Sequence, residues 1–448
     1  MKKGLMFINN FKTRNVVTVV VLFQFIQPTK GFGIKMIFPV EIIEKILRQC
    51  NGTTLLNARK VDEDWKCIVD RISQKTKIWE CCCKEEIPNN QLLEYLQQYR
   101  EDDFNKWLNI YINWTSFENL DRVVCDIILS PADVPKISCI AVSKDFIALG
   151  TEDGRLKIYT SQWKMVFFER LSAVRINSLN FIESEFNDSG IDICLLFSHQ
   201  SGLKIFCYDG FSSNYLEILD VKSHSVYKNF ICYERFGGRI TITKLVNVSG
   251  GRELCDIWFS RIYSPTCISC MNMWEGVCTF LINNEVKIIE YGSIEGSTMD
   301  IMKKKTSISF NFPHVDSQNT QILRNDVIVS LYRSEDDVKC DLIEFFLLGE
   351  KNKCSKKLFS TWEIFKCYIT YIYLYGNTLL LGMDVGIVYI YHVSRWKHFD
   401  IRDYGQKLII GKHPIICIDV KEMQNERRYY VSSRVNIHEI SGFLPNVY

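Results

Sequence analysis

The chain has 448 residues, 47% of them hydrophobic and 24% charged. At roughly 150 residues per domain it has room for about three units, though a large β architecture takes ~250–300 residues as one; this composition excludes a disordered or fibrous protein. Fifty-four Lys+Arg against 52 Asp+Glu leave a net charge of only +2, without the basic excess of a general polyanion binder, so nucleic acid is not an expected partner.

Lys2, Lys3, Lys12 and Arg14 precede an apolar run from Val16 to Ile26. That run has the length of a signal-peptide core and is too short to span a bilayer as a helix. Residues 27–33 offer no small-x-small cleavage site, and Met36 stands immediately before a helical motif. Residues 1–35 are therefore expected to be a leader outside the fold, with no membrane association. The 18 cysteines are spread over the whole length without a regular framework. Reduced core thiols in a cytoplasmic or nuclear protein are the expectation. Cys81-Cys82-Cys83 and Cys267-x-x-Cys270 are the only dense spots. A zinc site needs four converging ligands, usually from two such pairs, so no metal is expected.

Phe38-Pro39-Val-Glu41-Ile42-Ile43-Glu-Lys-Ile46-Leu47 reads as a helix. Pro39 suits the first helical position, where its missing N–H costs nothing, and Glu41 suits the first turn. Ile42, Ile43, Ile46 and Leu47 make an apolar stripe, and Asn51-Gly52 reads as a stop. Thr53 or Thr54 is the expected cap of a second helix carrying Leu55, Leu56, Ala58 and Val61. Asp62-Glu63-Asp64 places acid at the start of a third, in which Trp65, Ile68, Val69 and Ile72 recur at helical spacing. Trp79 follows. Three short helices in about 43 residues bury too little surface to stand alone.

These anchors, in this order, resemble the F-box family: the Phe38-Pro39 start with Ile42, Ile46 and Leu47, then Leu55-Leu56, then Val61-x-x-x-Trp65, then Trp79. Phe38 stands where the family usually has Leu. The resemblance implies an F-box at residues 36–80 that docks on an SKP-type adaptor, and through it on cullin and RING subunits. The adaptor-binding residues it implies are Phe38, Pro39, Ile42, Ile46, Leu47, Leu55, Leu56, Val61 and Trp65; the sequence does not divide them between adaptor and core. Residues 81–120 read as linker helices, with stripes of Leu92, Leu93, Leu96 and Tyr99, and of Phe104, Trp107, Leu108, Tyr111 and Ile112.

After Asp121 the period becomes that of short β-strands. Leu149-Gly150-x-x-x-Gly154-x-x-x-Ile158-Tyr159 recurs as Leu381-Gly382-x-x-x-Gly386-x-x-x-Ile390-Tyr391, each a strand, a glycine turn and a second strand. Weaker copies of the second strand centre on Ile205, Ile242, Ile288, Leu342 and Ile437, making seven copies spaced on average by about 46 residues, the length of a four-stranded propeller blade. Expected outer strands include Lys164–Leu171, Leu254–Arg261, Leu358–Phe365 and Lys397–Tyr404. The last copy lacks an outer strand, and the unused run Arg122–Leu129 is expected to supply it and close the ring. Residues 121–448 resemble WD-repeat propellers in architecture, without any Trp-Asp ending. The expected fold class is thus α+β and multidomain: a three-helix F-box and linker helices, then an all-β, seven-bladed propeller.

No side-chain set for chemistry emerges. All seven histidines lie beyond residue 198 without an HExxH, and there is neither a GxxxxGK[ST] loop nor a GxSxG elbow. The basic stretches Lys303–Lys305 and Lys351–Lys357 read as solvated loops between strands. The functional expectation is a non-catalytic substrate-recognition subunit of an SCF-type ubiquitin ligase, without cofactor, holding a client protein on the propeller. The rival readings are a propeller interaction scaffold with no ligase role, and a secreted propeller using the N-terminal run as a signal.

Overall fold

A computed structural model of the chain describes residues 39–87, 92, 95–96, 105–115, 124–129, 136–183, 192–200, 202–248, 251–259, 268–274, 277–282, 285–290, 305–309, 320–324, 327–332, 341–348, 354–393, 396–423 and 426–443. The expected leader, Phe38, Arg122, Val123 and Cys267 lie outside these. The chain falls into two compact units, Met1–Ser116 and Phe117–Tyr448.

In the first unit, α1 (Val40–Leu47), α2 (Gly52–Arg59), α3 (Glu63–Lys75), α4 (Ile78–Glu86) and α5 (Lys106–Thr115) follow one another. Pro39 is the N-cap of α1 and not its first residue; its carbonyl accepts from Ile42 and Ile43 N–H. Asn51 also departs from expectation. Its side chain accepts from Thr54 N–H at 3.0 Å, so the Asn-Gly pair starts α2 instead of merely ending α1, and neither threonine is the cap. Asp62 caps α3 by accepting from Trp65 N–H at 2.9 Å. The Cys81-Cys82-Cys83 run lies on α4, with Cys82 and Cys83 buried and Cys81 exposed. Burial pushes the Cys82 thiol up to about 12, where it is inert. The apolar core does not stop at residue 80. Trp79, Cys83, Ile110, Tyr111 and Trp114 belong to the same cluster as Ile43, Leu55 and Ile72, so α5, within the expected linker, packs into the helical core.

The second unit consists of seven four-stranded antiparallel sheets. Blade 1 is β2 (Ile137–Val142), β3 (Phe146–Thr151), β4 (Arg155–Thr160) and β5 (Met165–Arg170). Blade 2 is β6 (Ser178–Phe181), β7 (Ile193–His199), β8 (Gly202–Tyr208) and β9 (Ser213–Leu219). Blade 3 is β10 (Val221–Tyr227), β11 (Phe230–Arg235), β12 (Ile240–Val248) and β13 (Gly251–Phe259). Blade 4 is β14 (Ile268–Trp274), β15 (Val277–Ile282), β16 (Glu285–Glu290) and β17 (Lys305–Ser309). Blade 5 is β18 (Thr320–Arg324), β19 (Val327–Tyr332), β20 (Leu342–Leu348) and β21 (Cys354–Ser360). Blade 6 is β22 (Ile369–Tyr375), β23 (Thr378–Met383), β24 (Ile387–His392) and β25 (Gln406–Ile409). Blade 7 takes β26 (Ile415–Met423), β27 (Glu426–Ser433) and β28 (Asn436–Phe443) from the end of the chain, and β1 (Val124–Leu129) from before blade 1.

The first strands of neighbouring blades lie side by side at every junction but that of blades 2 and 3, where β10 lies against β8 and Ser178 of β6 meets His224 of β10; β26 lies beside β2, so the sheets form a closed ring. This is a seven-bladed β-propeller. Radial stacking buries both faces of every sheet: Leu156, Ile158 and Phe206 share one inter-blade core, and Leu380, Val388 and Tyr429 another. The seven repeat centres read from the sequence all fall on the third strand of a blade. The expected closure is found as well, with Val124 opposite Ser441 and Leu129 opposite Asn436.

The duplicated glycine template has a steric cause. Gly154 and Gly386 turn the chain with φ of 81° and 75°, which glycine adopts without strain. A Cβ at Gly150 would lie 2.6 Å from Cys139 Sγ, and one at Gly382 would lie 2.6 Å from Ile415 Cγ2. Two outer strands differ from expectation. In blade 5 the strand is Cys354–Ser360, and the short helix Thr361–Phe365 follows. Lys356 and Lys357 are therefore on a strand and not in a loop, and Lys357 Nζ donates to the carbonyls of Lys397 and Phe399 at 2.8 and 2.6 Å. In blade 6 the outer strand is Gln406–Ile409, wholly beyond the expected Lys397–Tyr404, which begins instead in a 3-10 turn, Trp396–His398, with Trp396 and Phe399 packed on Phe345. Lys305, likewise, begins β17.

Candidate functional site

The nine residues singled out from the sequence separate by burial. Leu47, Leu55 and Leu56 lie in the helical core. Pro39 is exposed, and Ile42 keeps 41% of its surface accessible. Ile46, Val61 and Trp65 are half-buried, with Trp65 packed against the core cluster. Phe38 lies outside the described residues. The division follows helix geometry. Pro39, Ile42 and Ile46 stand at i, i+3 and i+7 on one face of α1, whereas Ile43 and Leu47, at i and i+4, point to the core. Among the described residues, an apolar face on α1 thus remains uncovered.

A polar junction braces α2, α4 and α5. Glu86 accepts from Gly52 N–H at 2.8 Å and from the Tyr111 hydroxyl at 2.5 Å, and Thr53 Oγ1 lies 3.2 Å from the same hydroxyl. The acceptor serves an otherwise unpaired amide of the first turn of α2. Burial, then the Glu86 charge, pushes the Tyr111 hydroxyl well above the usual tyrosine range, so it stays a donor. Only glycine fits at position 52, since a Cβ there would lie 2.2 Å from Tyr111 Cζ. Arg71 and Glu44 join α3 to α1 at 2.7 Å, and Arg59 and Asp70 join α2 to α3 at 2.8 Å.

In the propeller, polar side chains on the innermost strands join neighbouring blades. Ser138 Oγ donates to Ile176 O at 2.7 Å. Ser178 Oγ meets Ser198 Oγ at 2.6 Å and His224 Nε2 at 3.1 Å. Ser225 donates to Asn272 at 3.3 Å, and Asn272 donates to Ile322 O at 2.8 Å. Burial pulls His224 down to about 4, so this imidazole is neutral at physiological pH. At the ring closure Asp419 of β26 accepts from Val142 N–H of β2 at 2.7 Å, from the Tyr373 hydroxyl of β22 at 3.0 Å and from its neighbour Val420 N–H at 2.8 Å. None of these was singled out from the sequence. Asp419 had a visible signal, a lone acid inside Ile415-Ile-Cys-Ile-Asp-Val420.

Burial raises the Asp419 carboxyl to about 6, outweighing the three donors, which lower it. The folded state therefore holds this proton more tightly than the unfolded chain. Its stabilising effect is complete below pH ~4 and is lost as pH rises to about 6. The residue as a whole is only half-buried, so the change is at most about 3 kcal/mol. Thermal unfolding of the wild type and Asp419→Asn between pH 4 and 7 checks this. The wild type should lose stability relative to the variant up to pH ~6 and run parallel above it; parallel curves throughout would remove Asp419 as the linked group.

Among the described residues no three His, Cys, Asp or Glu side chains converge as metal ligands, and no helix is long and apolar enough to cross a membrane. No family model matches the sequence, and no curated protein matches it. Among solved structures the chain resembles the computationally designed Ika8 protein at 10% identity, over 69% of this chain and 98% of that one, with a TM-score of 0.41. It also resembles BamB from Moraxella catarrhalis at 13% identity, over 70% of this chain and 84% of that one, with a TM-score of 0.40. Scores this low carry no argument, and the propeller assignment rests on strand pairing.

Proposed function

We propose that this protein is the substrate-recognition subunit of an SCF-type ubiquitin ligase, working in the cytoplasm or nucleus. The helical unit is an F-box that docks on an SKP-type adaptor, which bridges to cullin and RING subunits. The propeller holds a client protein. The chain contributes no reacting side chain, and catalysis comes from placing the client near the charged conjugating enzyme. The observation that carries this reading is the uncovered apolar face of α1, where Ile42 is 41% exposed while its neighbour Ile43 is 4% exposed. Pro39, Ile42 and half-buried Ile46 on one side of the helix offer a contiguous apolar surface of the kind a docking partner covers.

The reading is tested by affinity capture of the tagged full-length protein from cells, followed by mass spectrometry. Recovery of an SKP-type adaptor with cullin, in amounts comparable to the bait, is the expected result, and remaining partners are candidate clients. Capture of propeller partners without the adaptor would replace this reading with that of an interaction scaffold.

A further inference from the structure

Blade 2 contains a pair of thiols that the receptor role does not use. Cys194 on β7 stands directly opposite Cys207 on β8, and their sulfurs are 3.4 Å apart. Both side chains lie in the core between blades 2 and 3, beside Ile182, Ile205 and Val221. Arg252, at the start of β13 in blade 3, reaches across to Asp192, which precedes β7. The Arg252 and Asp192 side chains are 17% and 22% exposed, so the pair of sulfurs lies just beneath a partly solvated ion pair.

Two sulfurs on directly opposed residues of neighbouring strands need only a small closing motion to reach the ~2.05 Å of a disulfide. We propose that Cys194 and Cys207 form a dithiol–disulfide modification site for hydroperoxides, with Cys207 as the attacking sulfur and Cys194 as the resolving one. The inference is independent of the ligase reading.

The environment distinguishes the two sulfurs. A hydrogen bond from the Cys194 thiol, followed by the Arg252 guanidinium, pulls Cys207 below the usual thiol range, while Cys194 is pushed up and keeps its proton. Other buried thiols go the opposite way: burial drives Cys82, Cys139 and Cys270 up to about 12. Only a thiolate attacks a peroxide at a useful rate. The Cys207 thiolate attacks one oxygen of the hydroperoxide, the O–O bond breaks, and the departing oxide takes a proton from water. This leaves Cys207 as a sulfenic acid. The Cys194 sulfur then attacks the Cys207 sulfur, the S–O bond breaks, and hydroxide leaves with the Cys194 proton as water. Two thiols lose two electrons and two protons, and one peroxide is reduced. The product is a covalent tie between the two middle strands of blade 2.

The test uses the reduced full-length protein and a few equivalents of hydrogen peroxide, with denaturing alkylation and peptide mapping at timed intervals. The expected result is a linked peptide pair, 194 with 207, reversible by dithiothreitol. It should form before Cys81 and Cys255 are lost, although both are exposed. In Cys194→Ser the reaction should stop at a sulfenic acid on Cys207, trapped by dimedone. Arg252→Gln should slow the loss of Cys207 severalfold at pH ~6, where raising the thiol removes most of its thiolate, and Arg252→Lys should recover part of the rate. Recovery of Cys207 as an unreacted thiol after Cys81 and Cys255 are oxidised would overturn the proposal. That readout needs no variant. An unchanged rate in Arg252→Gln would overturn the assignment of Cys207 as the activated sulfur.

Discussion

A chain that begins at residue 131, and so lacks the strand Val124–Leu129, should fail to give a cooperative propeller. Six residues of that strand pair with Asn436–Ser441 and complete the fourth position of blade 7. Without them β28 becomes an open edge, with unpaired amides and carbonyls beside the buried Ile437 and Ile440. Such an edge templates association with other chains. The expected outcome is a broad, scan-dependent transition and high-order aggregates in size-exclusion chromatography. In the intact chain, proline at two successive positions gives a finer reading. Consecutive residues of an edge strand alternate between facing the partner strand and facing away, so only one of Asp126→Pro and Ile127→Pro removes a ladder bond. That variant should lose about 3 kcal/mol and melt about 4 °C lower, with the other closer to wild type. A soluble, cooperatively melting protein starting at residue 131, with an unchanged midpoint, would rule the closure out as a stabilising feature.

Ile42→Asp should abolish capture of an SKP-type adaptor while leaving the helical unit folded. Ile42 is on the uncovered face of α1, so the new carboxylate remains solvated in the free protein and is desolvated only at an interface. Central anchors of this kind are often worth about 2 kcal/mol or more, so affinity should fall well beyond tenfold. Leu47→Asp, which the sequence alone recommends equally, answers a different question. Leu47 is 3% exposed, and a charge there should unfold the unit, costing several kcal/mol, before docking is ever measured. Circular dichroism and titration calorimetry with purified adaptor separate the two effects. A folded Ile42→Asp protein that binds within twofold of wild type would leave the F-box reading without its main support.

The propeller was legible because its repeat is enforced twice. Each third strand carries apolar residues on both faces, as a sheet stacked on both sides demands, and glycines recur at matched positions, in the turn where φ is positive and in the preceding strand where a Cβ would strike a packed side chain. Outer strands were less legible. In blade 5 the strand runs through a basic stretch that looks like a loop, because a strand at the rim can leave Lys356 exposed and send Lys357 to the carbonyls of Lys397 and Phe399 while still pairing its backbone. The helical unit shows another limit. Ile42, Ile43, Ile46 and Leu47 cover more than one face of α1, and only packing decides which pair is inside. Asn51-Gly52 carries the signals of both an end and a beginning; the short connection lets its side chain serve the following helix. Glu86, Asp419 and the thiol pair with Arg252 depend on contacts between residues far apart in sequence or across strands, which no local period announces.

The pairing of β1 with β28 also sets a schedule for biosynthesis. Translation proceeds from the N-terminus, so Val124–Leu129 leaves the ribosome before any other strand of the ring, and Asn436–Phe443 leaves after all of them. About 300 residues separate the two partners, which at 5–20 residues per second is roughly 15–60 s of elongation. For that interval the first strand exists without its sheet, and six blades can form on the nascent chain while the ring stays open. A message truncated anywhere before the last strand therefore yields a product whose two edges never meet, and its early strand remains available to chaperones or to other chains.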